Sequence, residues 1–179
     1  KAIFNTVGTP GTSPATALVL LQAQQKLNES AAGMAPRYAT VNPAANAALV
    51  NGLSGFFNPT DTISKQFKNG MMGTGVLGFD EINMSQSIKV HTTGSRAGTI
   101  LVNGAVSTQG QSTISIDGLT GATDTVTVGD VFTIANVFAV NPQTRESTGS
   151  LQQFVVTAAQ TGVSNALANM AISPPIYTS

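Results

Sequence analysis

The chain has no cysteine, no tryptophan and a single histidine, and Asp, Glu, Lys and Arg together make up only 9% of its 179 residues. An average soluble domain has about 25% charged residues. Without cysteine, a disulfide framework and a thiolate metal site are excluded. No apolar run approaches the length of a membrane span, and no signal-peptide core is present. Because the sequence opens with Lys1, we expect a trimmed or excised piece.

Neutral polar residues take the place of the missing charges. Ser, Thr, Asn and Gln account for 62 residues, and eight basic residues balance eight acidic ones. A solitary soluble protein usually keeps a net charge, because repulsion suppresses self-association. The composition therefore suits a protein covered by copies of itself, and equally a secreted or surface β-protein. The length predicts one domain, or one domain that carries a small second one.

The first part of the chain has an α/β pattern. Ser13–Pro14 is a helix start, and apolar residues at helical spacing predict a helix over about 13–32 that ends at Gly33. The further predicted elements are a strand at Tyr38–Val41, a helix from Asn42–Pro43 to Val50, a helix from about Asn58 to Gly70, a glycine loop at Gly70–Gly78 and a strand at Ile88–Thr92.

From Gly94 the pattern changes to short β runs separated by turns, which is typical of a small barrel or sandwich. Gly129–Asp130 predicts a hairpin turn, Asn141–Pro142 ends its second strand, and Val163–Met170 is predicted to return to helix. The predicted runs are Ile100–Val102, Ile114–Ile116, Val126–Val128, Val131–Phe138 and Phe154–Thr157, the last one resuming the sheet after a polar run from Gln143 to Gln153. The side chains predicted to point into the barrel are Ile114, Ile116, Val126, Val128 and Phe154. Replacing Phe132, Phe138 or Leu151 with alanine is expected to lower the stability of the barrel if that side chain is buried.

No residue pattern predicts a catalytic, cofactor or metal site. The stretch Gly73–Gly78 matches G-x-G-x-x-G, but no strand precedes it and no helix follows, so a glycine loop is favoured over dinucleotide binding. His91 has no acidic neighbour in sequence and is interpreted as a partly exposed strand residue. Asp117, Asp124 and Asp130 lack calcium-loop spacing and are interpreted as turn residues. The basic residues, among them Lys65, Lys68, Lys89 and Arg96, are too scattered to predict nucleic-acid recognition.

Several short segments, in their order and spacing, resemble coat proteins of short-tailed, double-stranded-DNA temperate phages. Those similar to the family's central region are Gln25–Asn28, Val41–Pro43 and Gly78–Glu81, and those similar to its inserted β-barrel are Gly129–Asp130, Val140–Pro142 and Phe154–Val156. The resemblance implies an α+β fold, in which a small antiparallel β-barrel is inserted into the α/β central domain of the tailed-phage coat fold.

The implied domains are a partial α/β core domain at 1–95, the inserted barrel at 96–163, and a return segment to the core at 164–179. No segment resembles the family's extended arm, hairpin loop or spine helix, so we expect a central fragment that does not close shells by itself. The loop around Thr108–Gln111 is short for the family.

The function that the resemblance implies is structural and not enzymatic. It is a major capsid subunit that self-assembles into an icosahedral shell around double-stranded DNA, with no catalytic, cofactor or metal residues. The implied partners are copies of itself, a scaffolding protein, a portal and, without specificity, packaged DNA; no membrane or small-molecule substrate is implied. The implied location is the virion capsid, after assembly in the bacterial host cytoplasm. The alternative is a non-catalytic β-rich binding module, such as an adhesin or a tail-associated domain.

Overall fold

The computed structural model describes residues 5–54, 73–121 and 123–177. Within this part of the chain the fold is α+β, with two helices and ten strands. The chain divides into two compact units. The first, called here the α/β unit, comprises Val7–Val90 and Val140–Thr148, and the second, the β unit, comprises Lys1–Thr6, His91–Ala139 and Gly149–Ser179. No helix among the described residues is long and apolar enough to cross a membrane.

The α/β unit combines two helices with a three-stranded sheet. Its elements are α1 (Ala17–Glu29), β1 (Tyr38–Val41), α2 (Pro43–Gly52), β2 (Gly73–Val76) and β3 (Phe79–Met84). The strand order is β1-β3-β2, with β1 parallel and β2 antiparallel to β3. Apolar residues from both helices and from β3 form its core, namely Leu20, Leu49, Leu53, Phe79 and Ile82.

Capping explains where the second helix begins. The Asn42 side chain accepts a 2.7 Å hydrogen bond from the N–H of Ala45, and Pro43 occupies the first helical position. Asn at the cap satisfies a free helix N–H, and the fixed φ of Pro suits the first turn. The strand predicted at Tyr38–Val41 and the helix predicted from Asn42–Pro43 are both confirmed.

Other predictions for this unit need correction. Helix α1 begins after Thr16 rather than at Ser13–Pro14, and it ends at Glu29 rather than at Gly33. The helix stops early because Ala31 takes a positive φ of 53°, two residues before the glycine. The glycine loop predicted at Gly70–Gly78 contains strand β2, while the helix predicted between Asn58 and Gly70 lies outside the described residues. Residues 88–92, predicted as a strand, form no regular element.

The β unit is built around a curled, half-barrel sheet of five strands in the order β4-β5-β10-β8-β7, with a separate pair β6-β9. Its strands are β4 (Gly98–Val102), β5 (Gln111–Leu119), β6 (Thr125–Val126), β7 (Val131–Val140), β8 (Ser147–Val156), β9 (Gln160–Thr161) and β10 (Leu167–Ile176), except that the last residue of β7 and the first two of β8 are grouped with the α/β unit. Strand β10 is antiparallel to both of its neighbours, β5 and β8. The core consists of buried apolar residues from these strands, namely Ile114, Ile116, Leu119, Val126, Phe154, Val156, Leu167, Met170, Ile172 and Ile176.

The helix predicted at Val163–Met170 is wrong, because this segment leads into the central strand of the sheet. Leu167, Met170 and Ile172 of β10 are buried in the core. The sequence Pro174–Pro175 suggested an end of regular structure, but β10 continues to Ile176. Its pairing with β5 is irregular between Ala171 and Ile176. Proline is tolerated there because the ladder is interrupted where its missing N–H would be needed.

The predicted hairpin around Gly129–Asp130 is also wrong. Strand β6 pairs with β9 instead of β7, through Thr125 with Thr161 and Val126 with Gln160. Most of the polar run before Phe154 is part of β8, which already begins at Ser147. Of the predicted inward positions, Ile114, Ile116, Val126 and Phe154 are buried and Val128 is exposed, as are the tested positions Phe138 and Leu151.

Candidate functional site around Asp130

The most developed polar cluster among the described residues surrounds Asp130, whose side chain is completely buried. One carboxylate oxygen, Oδ2, accepts hydrogen bonds from the Arg96 guanidinium at 2.7 Å, from the Thr127 N–H at 3.0 Å and from the Gly94 N–H at 3.1 Å. The other oxygen, Oδ1, lies 2.8 Å from His91 Nε2 and 3.0 Å from the Thr127 hydroxyl. A buried carboxylate needs such compensation, since it has lost its hydration.

The main chain holds Asp130 at the start of β7, beside the end of β8. Its own N–H donates to the Thr127 carbonyl at 3.1 Å, which closes a tight turn. The Gly129 N–H donates to the Val156 carbonyl at 2.9 Å, and the Val156 N–H donates to the Asp130 carbonyl at 2.8 Å. The turn from Thr127 to Asp130 therefore redirects the chain without forming the hairpin that its composition suggested.

The remaining donors come from residues 91–96, where the chain enters the main part of the β unit. His91, Gly94 and Arg96 lie on a segment without regular structure. Their hydrogen bonds to the Asp130 carboxylate hold this segment beside the turn at Thr127–Asp130. The Gly94 position leaves no room for a side chain, since an added Cβ would overlap the backbone carbonyl of Thr125. The carboxylate thus fastens the segment 91–96 to the start of β7.

The electrostatics of the cluster favour the charged carboxylate. Burial raises the pKa of Asp130, but the hydrogen bonds from the Thr127 N–H, His91, the Gly94 N–H and Arg96 together outweigh it, so that the pKa lies well below the usual range of an aspartate. The Arg96 side chain is 23% exposed and the His91 side chain 42% exposed, so water reaches the outer edges of both side chains more easily than it reaches the carboxylate.

This chemistry supports a structural role. Both carboxylate oxygens are saturated by protein donors, and no buried side-chain polar atom of the described residues lacks a partner. No group of three or more His, Asp or Glu residues that could hold a metal ion occurs in the described part of the chain. The cluster can hold two segments together, but it presents no free acceptor to a ligand.

Sequence reasoning missed this cluster because its members are far apart along the chain. His91 was interpreted as a strand residue without an acidic neighbour, and Asp130 as a hairpin turn residue. The structure pairs the two over 39 positions and places His91 outside any strand. The only local signal was the spacing Thr127-x-x-Asp130, since a side chain of this length bonds readily to a backbone N–H three residues away.

The other residues singled out in the sequence have ordinary structural positions. The G-x-G-x-x-G stretch forms β2 and the turn at Leu77–Gly78 that leads into β3, so it belongs to an antiparallel hairpin rather than to the strand-to-helix turn of a dinucleotide site. Asp124 accepts bonds from the N–H groups of Gly121 and Ala97, as a turn residue does. Asp117 lies within β5, so its interpretation as a turn residue is wrong.

The α/β unit contains a second buried polar group that the sequence did not predict. The Arg37 side chain donates to the carbonyls of Gly33 at 2.8 Å and Ala32 at 3.1 Å, beyond the end of α1. Its backbone N–H donates to the Asp80 carboxylate at 2.6 Å, and the Asp80 N–H returns a bond to the Arg37 carbonyl. These contacts tie the loop after α1 to the parallel strands β1 and β3.

The sequence of the chain matches the model of one known protein family. The family model described as P22 coat protein, gene protein 5, matches residues 20–176. The match includes residues of both units and all members of the Asp130 cluster. No curated protein matches the chain.

Proposed function

This chain belongs to the P22 coat protein family and is a structural, major capsid subunit of a phage shell, and from that premise we propose how it acts. We propose that copies of it form an icosahedral shell around double-stranded DNA, with the help of a scaffolding protein and with a portal at one vertex. Assembly would take place in the cytoplasm of the bacterial host. The observation that carries the proposal is the family match over residues 20–176.

The chemistry of the chain supports a role in building rather than in catalysis. Its ionised cluster at Asp130 is buried and saturated, and with 9% charged residues and zero net charge the chain has few charges to place on its surface. Such a surface lets identical subunits approach one another without electrostatic repulsion. We infer that the chain has no enzymatic activity and binds no cofactor. Calorimetry with NAD, FAD and ATP is expected to show no binding, and micromolar affinity for any of them would contradict this part of the proposal.

We further propose that the β unit is the inserted barrel of the coat fold. The domain limits proposed from the sequence were 1–95, 96–163 and 164–179. Because β10 lies between β5 and β8, we propose that the inserted domain extends through Ile176. A segment 91–177 is then expected to give a β-type circular dichroism spectrum and a cooperative melt. A segment 96–163, which lacks the central strand, is expected to give neither; a cooperative melt of the shorter segment would contradict the extended limits.

The decisive test of the capsid role is the abundance of the chain in particles. Particles induced from a strain that carries the gene are purified on a density gradient, and their proteins are quantified by mass spectrometry. The chain is expected to be the most abundant protein and to be present in a large excess over the portal. Its presence at a few copies per particle would instead support the tail-associated binding module, and its absence from particles would contradict both roles.

A further inference from the structure

Strand β4 is an unusual sheet edge, because all of its residues are exposed. Among the described residues it pairs only with β5, and Ile100, Leu101 and Val102 follow one another along it. Leu101 is 60% exposed, and none of the three belongs to the buried core cluster of the β unit. Apolar side chains therefore project on both faces of a strand whose second edge is open.

Along the open edge, backbone groups point away from β5 and have no partner among the residues that the structure describes. The Asn103 N–H donates inward to the Ser115 carbonyl at 2.8 Å, and Val102 lies opposite Ile116 in the same register. Since the polar groups of an antiparallel strand alternate in direction, the N–H and C=O of Val102 point away from β5. The register is irregular between Gly98 and Leu101, so the regular part of this edge begins at Leu101.

Soluble proteins usually protect such an edge with charged side chains, with proline, with a bulge or with a very short strand. β4 is short and its register is irregular between Gly98 and Leu101, but it lacks the protective side chains. Here the twenty residues from Ala97 to Ile116, which include β4, the following loop and the first six residues of β5, contain no charged residue and no proline. The edge is therefore apolar, neutral and without the side chains that would keep another strand away.

We propose that β4 is an interface between copies of this chain, in which the β4 strands of two copies pair antiparallel about a two-fold axis. The proposal rests on the proposed function, since a shell supplies many copies at close range. In a two-fold antiparallel pair with Ile100 on the axis, residue 100 of one copy faces residue 100 of the other, so a charge at that position would face a like charge. The neutral stretch 97–116 removes this obstacle for an identical partner.

The pairing is weak by itself. A stable interface buries roughly 1,200–2,000 Å² in total, which a pair of five-residue strands does not reach. The contact is therefore reversible between free subunits and becomes populated when other contacts of the shell hold two copies together.

The test uses charge exchange at the centre of the strand in the full chain. The variants Ile100→Lys and Ile100→Glu are studied separately and as an equimolar mixture by sedimentation velocity at high protein concentration. Each variant alone is expected to self-associate more weakly than the wild type, on the order of tenfold, because like charges meet at the axis. The mixture is expected to regain association, because opposite charges then face each other. The matched pair Val163→Lys and Val163→Glu changes a side chain that is 74% exposed and lies off this edge, and should leave association unchanged.

A second measurement exploits the absence of cysteine from the chain. The variant Ile100→Cys, whose sulfur would face its own counterpart at the axis, is expected to form a disulfide-linked dimer under mild oxidation faster than Val163→Cys does. Circular dichroism spectra that match the wild type show that each variant keeps its fold. Equal association of the two Ile100 variants and their mixture, or equal cross-linking at both cysteine positions, would overturn the β4 interface. Those outcomes leave the capsid role standing, since that role is decided by the abundance of the chain in particles.

Discussion

Removing the Asp130 carboxylate is the sharpest test of the structural role assigned to its cluster. The variant Asp130→Ala deprives five donors of their acceptor, and these include the backbone N–H groups of Thr127 and Gly94, which cannot turn toward water. Arg96 and His91 are partly exposed and regain some hydration. Breaking a buried charge pair from one side costs about 3–5 kcal/mol, and we expect a loss of this size in the free energy of unfolding at pH 7.

The variant Asp130→Asn is expected to cost less, about 1–3 kcal/mol. Its amide oxygen can take the place of Oδ2 and accept from Arg96, Gly94 and Thr127. Its NH₂ group then faces His91 Nε2 and the Thr127 hydroxyl, and both of these atoms can accept a hydrogen bond. The order of stability should therefore be wild type, Asn, Ala.

The pH dependence gives a second check on the same cluster. The pKa of Asp130 is lowered in the folded protein, so the unfolded chain binds a proton first as the pH falls. The contribution of the carboxylate is complete above the unfolded pKa of about 3.9, and it decreases by about 1.4 kcal/mol per pH unit below that value until the folded pKa is reached. The stability difference between the wild type and Asp130→Asn should narrow accordingly in acid.

Urea titrations followed by circular dichroism at pH 7 and at several values below pH 4 measure these differences. The control variant Asp117→Asn makes the same charge change on β5 of the same unit. The reasoning is refuted if Asp130→Ala is no less stable than this control at pH 7, or if the gap between wild type and Asp130→Asn is independent of pH.

Three further substitutions test the packing and the local geometry by thermal or urea unfolding. Phe154→Ala removes a side chain that is 1% exposed in the core of the β unit and should cost about 3–5 kcal/mol, whereas the exposed Phe138→Ala should cost much less; equal effects would contradict the assigned core. Asn42→Ala removes the cap of α2 and should cost about 1 kcal/mol, against little change for the exposed Asn51→Ala. Gly94→Ala places a methyl group against a backbone carbonyl and should destabilise the Asp130 cluster; an unchanged melt would show that the loop has room to move.

Local signals predicted local structure well. The extended run Tyr38–Val41 and the cap at Asn42–Pro43 depend on neighbouring residues alone, and both appear in the structure where the sequence placed them. Alternating apolar residues also located parts of the long strands, such as Ile114–Ile116 in β5.

Long-range pairing could not be predicted in the same way. Val126 is a strand residue as expected, but its partner is Gln160 rather than a residue of β7. Nothing local to Leu167–Ile176 shows that this segment lies between β5 and β8, and its prolines pointed to an end instead. The Asp130 cluster was missed for the same reason, because a carboxylate's partners are chosen by the folded chain and not by its neighbours in sequence.

The central place of β10 has a consequence for the newly made chain. β10 follows the other four strands of its sheet along the chain but lies between β5 and β8, so the five-stranded sheet cannot close until residue 176 has been synthesised. Until then β5 and β8 each leave an edge unpaired, with Ile114 and Phe154 open to water. Contacts between distant segments form slowly, and unpaired edges of incomplete chains associate readily. The order of synthesis thus creates an interval in which an unfinished subunit must be kept apart from its finished copies.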